Sequence, residues 1–412
     1  MTEINITLND EEFKELFLGN RDEALKKLYE KMLNEFIRVE SETILDAKRY
    51  ERKEGRDDYL NGTRTRHYMT RLGSIVLQIP RHRKHPFHTM LFDNYSRSEA
   101  SFITTMVEMV VSGVSTRKIS QCVETICGMK VSKSTVSEAC KNLDKEVQAY
   151  GTRSLKEQYY PFVMVDATYF KVRENHKIVS KAFFIALGTT DKGIREVLGF
   201  HMYDNESKES WADFFMHLQA RGLQMPYLVT SDAHPAILHG LKRVYPNTAW
   251  QRCQFHFLKN ITEVAPKKYQ AGLRTELREM FDAKTIEDAR RIEQEILKEY
   301  AGIAERAMHI LENGFEDAMT VMSLPSALRR SLRTSNALER LNEELKRRSH
   351  VIRIFPNAPS LLRLMGTVTM DYSDKLSLRQ LSYVSAKHPI TEEIQKQLQQ
   401  ISLRQETILL AA

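Results

Sequence analysis

The chain has 412 residues, 42% hydrophobic and 28% charged, which is room for two or three domains and a sizeable buried core. No stretch approaches the roughly 20 apolar residues that cross a bilayer, and the acidic start MTEINITLNDEEF has no signal-peptide core. Four scattered cysteines (Cys122, Cys127, Cys140, Cys253) exclude a disulfide framework, so a reducing, cytoplasmic setting is expected, and 61 Lys and Arg against 54 Asp and Glu leave a net charge of +7 that fits a polyanionic partner.

From Asp10 to about Lys48, Phe13, Leu16, Phe17, Leu25, Leu28, Tyr29, Met32, Leu33 and Phe36 recur at three and four residues. They predict amphipathic helices that pack on a neighbouring helix or on a second subunit. Residues 1–50 carry 8 basic and 12 acidic side chains, net −4, whereas residues 48–84 carry 11 basic and 4 acidic, net +7. Within the basic stretch Asn61-Gly62 signals a turn, and Ile75, Leu77 and Ile79 alternate as in a strand. A hairpin presenting Arg64, Arg66, Arg71, Arg81, Arg83 and Lys84 would suit phosphate contacts, although a plain solvated surface carries the same charges.

Between Glu99 and Leu143 the pattern is helix, turn, helix. Ser115 and Thr116 can cap one helix, Gly128 interrupts, and Ser132 to Ser134 can cap the next. If that is a DNA-binding helix-turn-helix, Lys133, Ser134 and Thr135 at the start of the second helix meet bases and phosphates, with Arg117 and Lys118 on the first. A helical hairpin in a core reads the same way.

A new regime begins at Tyr159. YYPFVMVDATYFKV is a buried strand interrupted by Asp166, Ile178 to Leu187 is a second strand, and Glu196 to Tyr203 is a third. A helix from Lys208 to Arg221 leads through Gly222 to the short apolar strand Tyr227 to Val229 and then to Asp232. Three hairpin strands, a helix and a fourth strand is the order of a ribonuclease H-like fold. In such a sheet the first and fourth strands are neighbours, so Asp166 and Asp232 can approach although 66 positions apart. A charged group in FVMVDATYF is costly to bury unless paired or bound to a cation, and two close carboxylates favour Mg²⁺ or Mn²⁺. Helix capping is the alternative use of Asp232.

The third carboxylate expected is Glu339 in SNALERLNEELKRR, in the second turn of a helix capped by Ser335 or Asn336 with Leu338, Leu341 and Leu345 as its apolar stripe. From Arg329 to Arg353 there are 8 basic and 3 acidic side chains, including Arg347 and Arg348, a surface suited to phosphate. Ordinary pairing such as Glu343 with Arg347 accounts for the other acids. Helical patterns fill residues 257–330, with basic faces from Lys267, Lys268, Arg274, Arg278, Arg290 and Arg291. After Phe355 come apolar helical patches and a Gln-rich end.

YLNGTRTR, LQIPRHR, GVSTRKIS, VDATYFKV, ESWADFFMHLQARGL, VTSDAH, AWQRCQFHFLKN and SNALERLNEELKRR follow one another along nearly the whole chain. In these ordered motifs the sequence resembles the Mutator-type insertion-sequence transposases of bacteria. The resemblance implies an acidic DDE triad of Asp166, Asp232 and Glu339, and a helical insertion between the second and third acids. It further implies action on double-stranded DNA at terminal inverted repeats and at a target, Mg²⁺ with Mn²⁺ as a substitute, work as a homodimer at the nucleoid, and a Cys and a His spaced as Cys253 and His256 are. That pair is not read as a structural zinc site, because four ligands at paired spacings are absent nearby. An organising role beside the active site, a place near DNA and core packing of Cys253 all remain open.

The expected fold is therefore mixed α+β/α/β. A helical region (1–50), a basic hairpin (51–98) and a helix-turn-helix domain (99–150) precede a ribonuclease H-like catalytic domain (155–256 with 331–355). A helical insertion (257–330) interrupts that domain, and a helical tail (356–412) follows it. The alternatives to a transposase are a DNA-binding regulator on a silent transposase fold and a nuclease or resolvase on the same fold. No GxxxxGK[ST] loop is present, so ATP is not expected.

Overall fold

The computed structural model describes residues 8–19, 21–47, 51, 57–91, 99–127, 130–378 and 390–411. Gly128, expected to interrupt two helices, lies outside them. The chain divides into two compact units, Met1–Asn142 and Leu143–Ala412. No helix among the described residues is long and apolar enough to cross a membrane.

In the first unit, helices α1 (Asp10–Leu18) and α2 (Arg21–Leu45) precede an antiparallel hairpin of β1 (Leu60–Thr70) and β2 (Gly73–His82). Leu33 and Ile37 of α2 bury against Tyr68, Ile75, Leu77 and Ile79. Asn34 of α2 binds both Val76 O and Gln78 N, so its amide serves the strand as a backbone partner would. The hairpin turn is Arg71-Leu72, closed by the pair Thr70 and Gly73 with Gly73 at φ +112°, and not Asn61-Gly62 as expected. Asn61-Gly62 falls where the register shifts between Leu60 and Thr63, a bulge that the same residue pair can make. Three further helices, α3 (Ala100–Val111), α4 (Thr116–Cys127) and α5 (Lys133–Cys140), share a core of Phe102, Met106, Ile119, Val123, Val131 and Val136.

The second unit opens with α6 (Leu143–Thr152) and a meander of β3 (Phe162–Glu174), β4 (Lys177–Thr189) and β5 (Arg195–Tyr203). Then come α7 (Lys208–Ala220), β6 (Leu228–Ser231), α8 (Pro235–Val244) and β7 (Ala249–Arg252). The sheet runs β5-β4-β3-β6-β7, antiparallel among the first three and parallel from β3 through β6 to β7. Strand β4, buried from Lys181 to Thr189, is its apolar spine. One face packs on α7 and α8 through Phe184, Trp211, Phe214, Ile237 and Leu241.

Between β7 and the next sheet-contacting helix come α9 (Gln254–Val264), α10 (Gln270–Phe281), α11 (Ile286–Glu299), α12 (Glu305–Ala318), a 3₁₀ turn (Thr320–Ser323) and α13 (Ser326–Leu332). Helices α9 to α12 have a core of their own around Leu273, Leu277, Met280, Ile296, Leu311 and Phe315. Of the basic residues expected on their faces, Arg290 pairs with Glu316 and Arg291 with Glu295. The chain then returns as α14 (Asn336–Ile352) and α15 (Ala358–Leu378), both against the sheet, and closes with α16 (Glu392–Ala411) beside β7. One strand was not anticipated: β7 adds a fifth to the sheet. Within the stretch expected as a helical tail, the Gln-rich end is helix α16, which covers the sheet edge.

Candidate active site

Asp166 sits in β3 opposite Ile185 of β4. On the other side of β3, Met164 pairs in parallel with Thr230 of β6. Carrying that register two residues further sets Asp166 level with Asp232, which directly follows β6. Parallel pairing therefore sets Asp166, within β3, beside the carboxyl end of β6, where Asp232 follows, and brings the two acids together as the sequence order predicts. Asp166 Oδ1 accepts from Ala167 N at 2.9 Å, and Oδ2 accepts from Asn342 Nδ2 at 2.7 Å. Burial, and next the charge of Asp232, push the Asp166 carboxyl up to about 7 against the pull of Ala167 N–H and His256.

Asp232 is fixed by its backbone. The Ser231 hydroxyl donates to Asp232 O at 2.8 Å and accepts from Trp250 Nε1 at 2.9 Å, which ties the end of β6 to β7. One carboxylate oxygen accepts from His234 N at 3.2 Å. His234 is itself the N-cap of α8, makes no side-chain cap, and precedes a proline that has no N–H to satisfy. Asp232 thus steadies the turn and does not cap the helix.

Glu339 stands in the first turn of α14, one turn earlier than the sequence pattern implied. Leu338, Leu341 and Leu345 are fully buried and anchor the helix, as expected. Ser335 occupies the N-cap position without capping the helix. Its hydroxyl is within donating distance of Cys253 Sγ (3.2 Å) and Glu339 Oε1 (3.4 Å), and its N–H donates to the same sulfur at 3.4 Å. His256 Nε2 lies 3.9 Å from Glu339 Oε1. Burial raises the Glu339 acid, with His256 the main opposing influence. The Cys253 sulfur first, and then the charges of Glu339 and Asp166, push His256 up to about 9 despite its burial. Burial alone would raise the Cys253 thiol, but His256 and Ser335 together bring it below its usual range. So the Cys-His pair borders the acids, held by a β7–α9 junction in which Cys253 N donates to Ser231 O and Gln254 N to Arg333 O.

Two residues at this site escaped the sequence reading. Asn342, one turn after Glu339 and buried, physically links α14 to Asp166. Glu206, in the β5–α7 loop, is raised by burial, lowered by His234 and raised by Asp232, and its charge in turn reaches Asp166. Asn342 could have been found from its i+3 spacing to Glu339. Glu206 sits among polar loop residues and carries no such signal.

The basic candidates fall into two groups. In the first unit, Arg64 and Arg66 stand opposite Ile79 and Leu77, so they extend the same face of the hairpin that is apolar under α2. Arg71 occupies the turn beside Glu99, at 3.8 Å. Arg81, Arg83 and Lys84 are exposed, and the Asp58 carboxylate accepts from the N–H groups of Arg83, Lys84 and His85, which fixes their loop. Burial raises the Asp58 acid, but these backbone donors pull it well below the usual carboxylate range. Arg117, Lys118, Lys133 and Ser134 are exposed at the first turns of α4 and α5, while Thr135 is partly buried and its N–H is capped by Ser132 Oγ. In the second unit, Arg347 and Arg348 both pair with Glu344, in place of the expected Glu343 to Arg347 pair.

Comparison with known proteins agrees with this architecture. The family model described as "Transposase, Mutator family" matches residues 1–377. The chain is 38% identical over 388 residues to the "Transposase for insertion sequence element IS256 in transposon Tn4001" of Staphylococcus aureus, covering 93% of this chain and 99% of that one. It is 36% identical over 358 residues to the transposase of ISRM5 from Rhizobium meliloti (87% and 89% covered), and 32% over 383 residues to that of IS1081 from Mycobacterium tuberculosis (91% and 92% covered). The chain belongs to the Mutator family of insertion-sequence transposases.

Proposed function

We propose that the second unit is a ribonuclease H-like nuclease with a helical insertion, whose Asp166, Asp232 and Glu339 carry out metal-dependent DNA strand cleavage and strand transfer. The observation that carries this reading is the register. Asp166 and Asp232 emerge side by side from β3 and β6, and Asn342 ties Asp166 to the helix that bears Glu339. The strand order β5-β4-β3-β6-β7, with its antiparallel meander and parallel remainder, supports the fold assignment.

The donor set fits divalent cations of the Mg²⁺ type, with Mn²⁺ as substitute. Asp166 and Asp232 are oxygen donors; burial, and next the charge of Asp232, drive the Asp166 acid up to about 7, and a cation held by both residues would offset that cost. Held by these acids, such ions would supply Lewis-acid chemistry, lowering the pKa of a water or a 3′-hydroxyl and offsetting charge on the phosphate and the leaving oxygen. The chain's own contribution is orientation. Asn342 Nδ2 presents one Asp166 oxygen, His234 N–H fixes one of Asp232, and the Ser335 hydroxyl with His256 restrains Glu339. No covalent enzyme–DNA adduct is required, so one site serves cleavage of the ends and joining to a target.

In this reading the first unit holds terminal inverted repeats. The α3–α5 helices act as a helix-turn-helix with Lys133 and Ser134 at the start of the recognition helix, and the hairpin arginines contact phosphates. Handling two ends calls for a homodimer. Incubation with a supercoiled plasmid that bears the element's ends, with and without Mg²⁺, tests the proposal. Metal-dependent nicking at the ends followed by joined products is the expected result. End binding with no cleavage indicates a regulator, and cleavage without joining indicates a nuclease or resolvase.

A further inference from the structure

Outside the all-oxygen pair lies a cluster of different chemistry. Cys253 at the start of α9, His256 one turn later and Glu339 on α14 bring a sulfur, an imidazole nitrogen and a carboxylate oxygen all within 4.8 Å of one another. The sulfur has no solvent exposure and accepts from both the N–H and the hydroxyl of Ser335. His256 Nε2 and Glu339 Oε1 are 3.9 Å apart, too far for a hydrogen bond, and His256 Nδ1 is buried with no partner. The third ligand is 83 positions beyond His256, so no spacing along the chain announces the set.

We propose that Cys253, His256 and Glu339 form a second metal site, specific for thiophilic ions such as Zn²⁺, with three protein ligands and an open fourth position. Thiolate and imidazole select Zn²⁺ over Mg²⁺, and three ligands with one vacancy is a common zinc arrangement. Zn–S and Zn–N bonds of about 2.3 and 2.0–2.1 Å place tetrahedral ligands closer than the present spread, so small rotations of the His256 and Glu339 side chains complete the shell. Both are partly solvent-exposed, which gives the ion a path in. Ser335 supplies the outer hydrogen bonds to sulfur that such sites use. Binding releases the Cys253 thiol proton to solvent and leaves a Zn–S bond, with no change of oxidation state. The site's existence is independent of the proposed nuclease chemistry. Only its consequence, that Zn²⁺ withdraws Glu339 from the acidic triad and arrests cleavage, rests on that reading.

The test uses the full chain, stripped with chelator and titrated with Co²⁺ as a spectroscopic stand-in, then with Zn²⁺. One ion per chain, a sulfur-to-cobalt charge-transfer band, and persistence of that band in millimolar Mg²⁺ are expected. Cys253→Ser should abolish the band. His256→Gln, at a partly exposed position, guards against a variant that fails to fold and should weaken binding at least tenfold. Ser335→Ala, with all ligands present, should weaken it about 10- to 100-fold. Absence of the band in folded protein, or a band that survives both Cys253→Ser and His256→Gln, overturns the proposal. If the band appears and Zn²⁺ leaves Mg²⁺-dependent cleavage untouched, the metal site stands and the role of Glu339 in cleavage falls.

Discussion

Asp166 is an acid whose folded-state value is raised, to about 7, by burial and by Asp232. Between the unfolded value near 4 and about 7 the folded chain therefore binds the extra proton. The sign follows: without metal, stability falls as pH rises through that window and stays low above it. Asp166→Asn should stabilise the metal-free protein at pH 8 by on the order of 1 kcal/mol once solvent screening is allowed for, seen as a higher melting temperature. It should leave the protein no further stabilised by Mg²⁺, whereas calorimetry of the native chain should show both the pH slope and a Mg²⁺-dependent rise. Asn342 gives a second prediction at this scale. Asn342→Leu keeps the volume near Asp166 but removes the 2.7 Å bond, and cleavage should drop about 10- to 100-fold with end binding retained. Both acids of the sheet were legible because a charge in an apolar strand, and one at a strand's end, stand out from their neighbours. The web around Glu339 was not, since Ser335 read as a cap and Cys253 stayed open between core packing and a role beside the active site or DNA until α9 and α14 were brought together.

At the level of elements, two close fits hold the sheet's surroundings. Helices α7 and α8 meet at Gly240, where an added Cβ would lie 2.7 Å from Ala212 N, a backbone atom that cannot move aside. Gly240→Ala should cost about 1–3 kcal/mol in chemical denaturation, without any change in the metal dependence of what folds. On the far edge, Gln405 of α16 accepts from Trp250 N and donates to Trp250 O, so that one side chain completes the outer ladder of β7. Gln405→Leu leaves two buried backbone groups unpaired and should destabilise by about 1–3 kcal/mol per orphaned group. Strands β3 to β5 were readable from their apolar runs, and β6 from a short apolar run that ends at polar residues. Strand β7 was not, because AWQR is short and half polar. Its Gln251 donates to the adjacent Arg252 O and also to Ala318 O, and accepts from Val321 N; the last two are partners that a linear reading cannot supply. The hairpin turn was misplaced for a related reason: Asn-Gly serves a bulge as well as a turn, and pairing decided between them.

For the molecule as a whole, the division at Asn142 separates the basic hairpin and short helices from the acidic site, and the proposed function assigns holding DNA to the first unit and cutting it to the second. End binding should then depend on the first unit's cations. Replacing Arg64, Arg66 and Lys133 by Gln should weaken binding to any duplex and lower the slope of log affinity against log salt by about 0.9 for each phosphate that is no longer neutralised. Cleavage per bound complex should be unaffected. The central claim concerns the second unit, and strand cleavage of a labelled duplex carrying the element's terminal repeat, assayed in Mg²⁺, tests it most directly. Asp166→Ala, Asp232→Ala and Glu339→Gln should each bind the end as the native chain does and yield no cut strand. Undiminished cleavage by any one of the three would contradict the account.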